Sequence, residues 1–181
     1  ERIYRGDECF QLDRVARSKM DKAADIVSAA KAADTPVYGI NTGLGKLASV
    51  RIDKADIEQL QRNLILSHCA GTGDPLSPAV TRLVIALKLL SLGRGASGVR
   101  WAIIEHIEAT VAAGIIPIIP SQGSVGASGD LAPLAHMTAT FIGEGEVVRK
   151  GQVESASSAL ADVGLEPYQL SAKEGLAMIN G

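Results

Sequence analysis

Apolar positions recur every three to four residues along most of the chain, so helices dominate its reading. Residues 11–33 are rich in Ala, Lys, Asp and Arg, with Leu12, Val15, Ala16, Ile26 and Val27 interspersed, and predict a helix. Asp34-Thr35-Pro36 stops it, because proline lacks an amide donor and disfavours helix at the preceding residue. A strand-like piece over 37–40 leads into a Gly-rich loop, 41–45. From 53 to 70, Ile57, Leu60 and Leu64 share one helical stripe, with Asp53 as the expected N-cap and Gly71 just past the end. Residues 73–78 combine Gly73, Pro75 and Pro78 and read as a turn cluster.

The helix expected over 79–92 is apolar on nearly all sides, which predicts burial in a large assembly. Another helix spans 97–113, before Gly114. Residues 115–120 are extended, locked by Pro117 and Pro120, and feed a loop of small residues, 121–129. Asp130 is the expected cap of a helix reaching about 142, with Pro133 tolerated in its first turn. Residues 146–149 and 152–154 flank Lys150-Gly151 as a β-hairpin. Short helices are expected over 155–163 and 171–179, the second opening on Ser171 and Glu174 at capping-box spacing. No internal repeat or linker divides the chain. The expectation is a mainly α, single partial domain, 1–181, with short strands and one hairpin near 145–154. The chain begins at Glu1 without a Met and ends at Asn180-Gly181 after an apolar run, so part of a longer chain is expected.

Composition narrows the partners. Eighteen Lys and Arg against 20 Asp and Glu leave a net charge of −2, which argues against a nucleic-acid surface. Aromatics at 3% argue against base-stacking platforms. Cys9 and Cys69 are too few for a disulfide framework or a four-ligand zinc site. No apolar run is long enough to span a bilayer. A cytoplasmic protein without membrane or nucleic-acid partners is expected.

Several motifs have ordinary readings. Gly43-Leu44-Gly45 and Gly93-Arg94-Gly95 fit dinucleotide fingerprints in spacing but lack the alternating strand and helix context. Ser124 and Ser128 each miss one of the two flanking glycines that a nucleophile elbow needs. His106 and His136 fall within predicted helices and read as structural histidines.

The segment 123–136 stands apart. Its loop of small residues ends at a helix N-terminus, where backbone donors and the helix dipole favour negative charge. Its run Gly123-Ser124-Val125-Gly126-Ala127-Ser128-Gly129-Asp130-Leu131-Ala132-Pro133-Leu134 resembles the signature of the aromatic amino acid lyases. Tyr38 to Gly45, Gln61 to Gly71 and Glu174 to Gly181 resemble three further stretches of that family, in the same order. The resemblance covers nearly the whole chain from Val37 onward. It implies the family's helical fold and a 4-methylidene-imidazol-5-one (MIO) prosthetic group made from Ala127-Ser128-Gly129, with no diffusible cofactor and no metal. The residue types suit that chemistry, because Gly129 tolerates the bend that brings its amide nitrogen to the Ala127 carbonyl, and Ser128 can lose its hydroxyl as water.

Ser67-His68 resembles the histidine ammonia-lyase branch, which implies conversion of L-histidine to trans-urocanate and ammonia. A covalent electrophile there eases a difficult elimination. The resemblance implies Tyr38 as the base for the β-proton, His68 as the residue orienting the substrate, and Asn180 beside the electrophile or the substrate carboxylate. It also implies a homotetramer in the full-length form and an inactive 181-residue piece. Residue by residue, His68 also extends the stripe Ile57, Leu60, Leu64 as a core histidine would, and Tyr38 also reads as a loop anchor. A phenylalanine or tyrosine lyase or aminomutase, and a non-catalytic helical assembly module, are the alternatives.

Overall fold

In the computed structural model, which describes residues 1–6, 9–33, 35–43, 45, 50–53, 55–125 and 130–181, the chain opens on a single helical turn, α1 (Arg2–Arg5). Arg82 donates to the Ile3 and Tyr4 carbonyls and ties that turn to α4 (Pro78–Gly93). Asp13 accepts from the Val15 amide at 2.9 Å, starting a 3-10 turn that runs straight into α2 (Arg17–Ala32). Helix α4 begins where Ser77 accepts from the Val80 amide and Pro78 fills the first helical position, the arrangement helix starts favour.

The core lies where α3 (Ile57–His68), α4, α5 (Trp101–Ala112), α6 (Leu131–Phe141) and α8 (Glu174–Ile179) meet. Ile65, Ile85, Ile104, Met137, Met178 and Ile179 are fully buried there. Helix α4 is less enclosed than its composition predicts, since Leu87 and Leu90 are 63% and 62% exposed. Helix α8 runs against α3, with the Leu176 amide donating to Gln61 Oε1 at 3.3 Å. The approach requires glycine, because a Cβ on Gly175 would lie 2.9 Å from the Gln61 carbonyl oxygen.

Two small sheets frame this bundle. β1 (Thr72–Pro75) pairs antiparallel with β3 (Pro120–Gln122), so part of the expected turn cluster is an edge strand, a setting where proline is tolerated. β2 (Ile116–Pro117) pairs with β4 (Glu146–Arg149), which forms the expected hairpin with β5 (Gln152–Ser155). Lys150 and Gly151 both have positive φ, as a two-residue hairpin turn demands. The hairpin and α7 (Ala156–Asp162) enclose a second, smaller core of Ile115, Val147, Ala156, Ala159 and Leu160.

Several boundaries differ from expectation, three of them for an identifiable local reason. Residues 37–40 form a turn rather than a strand, because Asn41 Oδ1 accepts from the Val37 amide at 2.7 Å while its amide group donates to the Thr35 carbonyl at 3.0 Å. Helix α3 starts at Ile57 rather than near Asp53, whose carbonyl is taken by the Asp56 amide in a preceding turn. Helix α5 starts at Trp101 rather than Ser97, because the Arg100 amide is claimed by the Glu174 carboxylate at 3.0 Å.

Candidate active site

His68 is the last residue of α3 and is half-buried. Its Nδ1 lies 2.8 Å from the Leu64 carbonyl and 3.2 Å from Ser67 Oγ. A carbonyl oxygen only accepts, so Nδ1 carries the proton and Nε2 of the neutral ring is an acceptor.

The chain turns sharply after His68. The Gly71 amide donates to His136 Nε2 at 3.1 Å, which binds the end of α3 to α6. Burial holds the His136 imidazole below its ordinary pKa, consistent with a neutral acceptor. β3 then carries residues 121–125 over this junction. A Cβ on Gly123 would lie 3.3 Å from Gly71 Cα and 3.2 Å from Ala132 Cβ. The segment after β3 thus packs on Gly71, three residues past α3, and on the start of α6. Ala127, Ser128 and Gly129 themselves lie outside the described residues. Asp130 precedes α6 but, among the described residues, makes no side-chain capping bond, contrary to expectation, and its buried Oδ1 has no partner there.

Asn180 follows α8 directly. Ala172 packs with Ile57, and Gly175 meets Gln61, so α8 runs along α3 in the same direction and brings Asn180 toward the His68 end. Lys88, buried in α4, donates from Nζ to the Ala177 carbonyl at 2.6 Å and to the Asn180 carbonyl. Tyr38 stands elsewhere. It is 54% exposed, its hydroxyl accepts from the Gly45 amide at 3.4 Å, and its neighbour Ile40 packs on Ile57 at the opposite end of α3. The structure therefore brings His68, residues 121–125 and Asn180 toward one end of α3, and no hydrogen bond among the described residues joins Tyr38 to them.

The family model for aromatic amino acid lyases matches residues 1–181, the whole chain. The chain belongs to the aromatic amino acid lyase family. This lyase chain is similar to the solved tyrosine aminomutase from Streptomyces globisporus, at 37% identity and a TM-score of 0.90 over 99% of this chain and 34% of that one. It is similar to the histidine ammonia-lyase from Trypanosoma cruzi, at 37% identity and a TM-score of 0.85 over 93% of this chain and 32% of that one. It is also similar to the ergothionase from Treponema denticola, solved with desmethyl-ergothioneine sulfonic acid, at 28% identity and a TM-score of 0.93 over 99% and 36%. The chain spans about a third of the length of each.

Three residues that hold the elements of the candidate site together escaped the sequence reading as contributors. Gln61 falls on the apolar stripe of α3 and is fully buried, with Oε1 on α8 and Nε2 without a partner among the described residues. Lys88 is the buried one of two charged residues, with Arg82, in a largely apolar helix. In both cases a polar residue among apolar ones was the available signal. Glu174 was read only as half of a capping box. It does reach back to the Ser171 amide at 2.7 Å, although α8 opens on left-handed Lys173. The same carboxylate also accepts from the Arg100 side chain at 2.7 Å and from the Tyr168 hydroxyl. Burial and this carboxylate push the Tyr168 phenol well above its usual range. His106 lies beside Tyr168, 5.5 Å between ring centres, and burial lowers its pKa, which fits a structural role.

Proposed function

We propose that these residues belong to an ammonia-lyase that eliminates ammonia from L-histidine to give trans-urocanate. The observation that carries the reading is the packing of Gly123 on Gly71, itself bonded to His136, which sets the chain just past α3 beside the approach to Ala127-Ser128-Gly129. Coverage of 34% of the aminomutase and 32% of the histidine ammonia-lyase supports reading residues 1–181 as one part of a longer enzyme, inactive alone.

Ala127, Ser128 and Gly129 supply every atom of an MIO group, and the flanking residues fit it. Gly123 allows close approach, and the Asp130 Oδ1, without a partner among the described residues, belongs to the residue next to Gly129, whose amide must lose its proton on ring closure. The group supplies an electrophile that turns a poor amine leaving group into a better one. Around it, the chain's own residues orient and deprotonate. His68 Nε2 accepts from the substrate's imidazole N–H, with Nδ1 fixed by Leu64. Asn180 binds at the carboxylate or electrophile. Tyr38 removes the β-proton, with the Gly45 amide donating to its oxygen. The full-length form is a cytoplasmic homotetramer on this reading, and the exposed Leu87 and Leu90 are suited to burial between subunits.

A second reading, aminomutase action on tyrosine, is favoured by the equal 37% identity to an enzyme of that name. Assay of full-length protein on histidine, tyrosine and phenylalanine separates the two. Urocanate as the main product supports the histidine reading, and a β-amino acid from tyrosine replaces it with the second. Intact mass tests the prosthetic group, whose formation removes two waters.

A further inference from the structure

Lys88 is 6% exposed, flanked along α4 by the buried Ile85, Leu89 and Leu92. Its ammonium meets no carboxylate among the described residues. Instead it donates to the Ala177 carbonyl at 2.6 Å and to the Asn180 carbonyl. The Asn180 amide meanwhile donates to the Leu176 carbonyl at 3.1 Å, closing the last turn of α8. Both backbone groups of Asn180 are therefore held, one by its own helix and one by α4. With N–H and C=O fixed, the Cα–Cβ direction is fixed too, and only the two side-chain torsions remain free.

We infer that Lys88 is a positioning residue, whose ammonium clamps the end of α8 so that the Asn180 amide is presented to the substrate. The inference rests on the reading of Asn180 as a substrate contact. Stability alone does not call for an ammonium here. Burying one without a carboxylate is unfavourable, and burial lowers its pKa to about 8. A methionine would fill much of the same space without that penalty. What the ammonium adds is a pair of directed donors at the last turn, where helix carbonyls otherwise lack partners.

The test is a double-mutant cycle in the full-length enzyme, with kcat and KM normalised to folded, MIO-bearing protein. Asn180→Ala and Lys88→Met are each expected to lower kcat/KM by about tenfold or more, with the same split between kcat and KM. The double variant is expected to fall no further than the weaker single, because Lys88 acts through Asn180. A merely structural Lys88 lowers the folded fraction and leaves normalised kcat and KM unchanged. That result, or losses that multiply in the double variant, overturns the inference while leaving the Asn180 reading intact. Full activity in Asn180→Ala overturns the Asn180 reading and the inference with it. Should Lys88→Met fail to fold, Lys88→Arg runs the same cycle. It keeps charge and donors but moves them, so coupling to Asn180 supports the inference and its absence overturns it.

Discussion

His136 accepts the Gly71 amide proton 65 positions away in sequence, and that one bond joins the end of α3 to α6. Replacement by an apolar ring leaves a half-buried amide unpaired. His136→Phe is expected to lose about 1–3 kcal/mol of unfolding free energy. His136→Gln, which offers an acceptor at similar reach, is expected to lose less. Urea unfolding measures both, and equal losses would refute the bond's importance.

Two half-buried histidines, His106 and His136, predict a pH dependence of the 181-residue chain. Burial holds both His106 and His136 below their ordinary value of 6.5, so the unfolded chain takes up these protons at a higher pH than the folded one. Between those values the unfolded state binds more protons, and stability falls as pH drops below about 6.5. Above it, both states hold neutral rings and these groups contribute no slope. Unfolding free energies from about pH 7.5 to about 5.5 should show the decline, and His106→Leu should make it shallower. A wild-type curve that rises on acidification would be incompatible with this.

Glu174 is expected to be the costliest carboxylate to remove. It is 1% exposed and accepts from Arg100, Tyr168 and the Ser171 amide, while Arg100 keeps 47% of its side-chain surface in water. Glu174→Ala strands the buried donors rather than a buried charge, and about 3 kcal/mol of stability should be lost. Glu174→Gln should retain part of it. Thermal and urea unfolding of both variants provide the check.

In the full-length lyase, Ser128→Ala is expected to abolish turnover and the loss of two waters together. Tyr38→Phe should leave the mass of the mature protein unchanged while lowering kcat by about a hundredfold or more, as removal of a general base does. Turnover at the wild-type rate in Ser128→Ala, measured beside its intact mass, would end the lyase reading.

Much of this architecture was legible in residue pattern. The hairpin turn at Lys150-Gly151, the span of α4 and the stripe of α3 follow from periodicity and turn chemistry, which are local. What was not legible depends on partners far along the chain. Arg100 looks helical until Glu174, 74 residues later, takes its amide. Thr72–Pro75 looks like a turn until Pro120–Gln122 comes alongside. Asn41 was assigned to a loop, yet its side chain decides the shape of the Tyr38 segment. The tripeptide and His68 stood out by residue type and order, whereas the packing of Gly71, Gly123 and His136 that brings their surroundings together exists only in three dimensions.

The separate small core under the hairpin has a practical use. Val147, Ala156, Ala159 and Leu160 are sealed there, while Lys150 and Gly151 are exposed at the hairpin tip. An epitope or fluorophore-bearing peptide spliced between those two residues would load only this outlying lobe. Reporter attachment at that tip offers a way to follow assembly or maturation of the lyase while leaving the junction around His68 undisturbed.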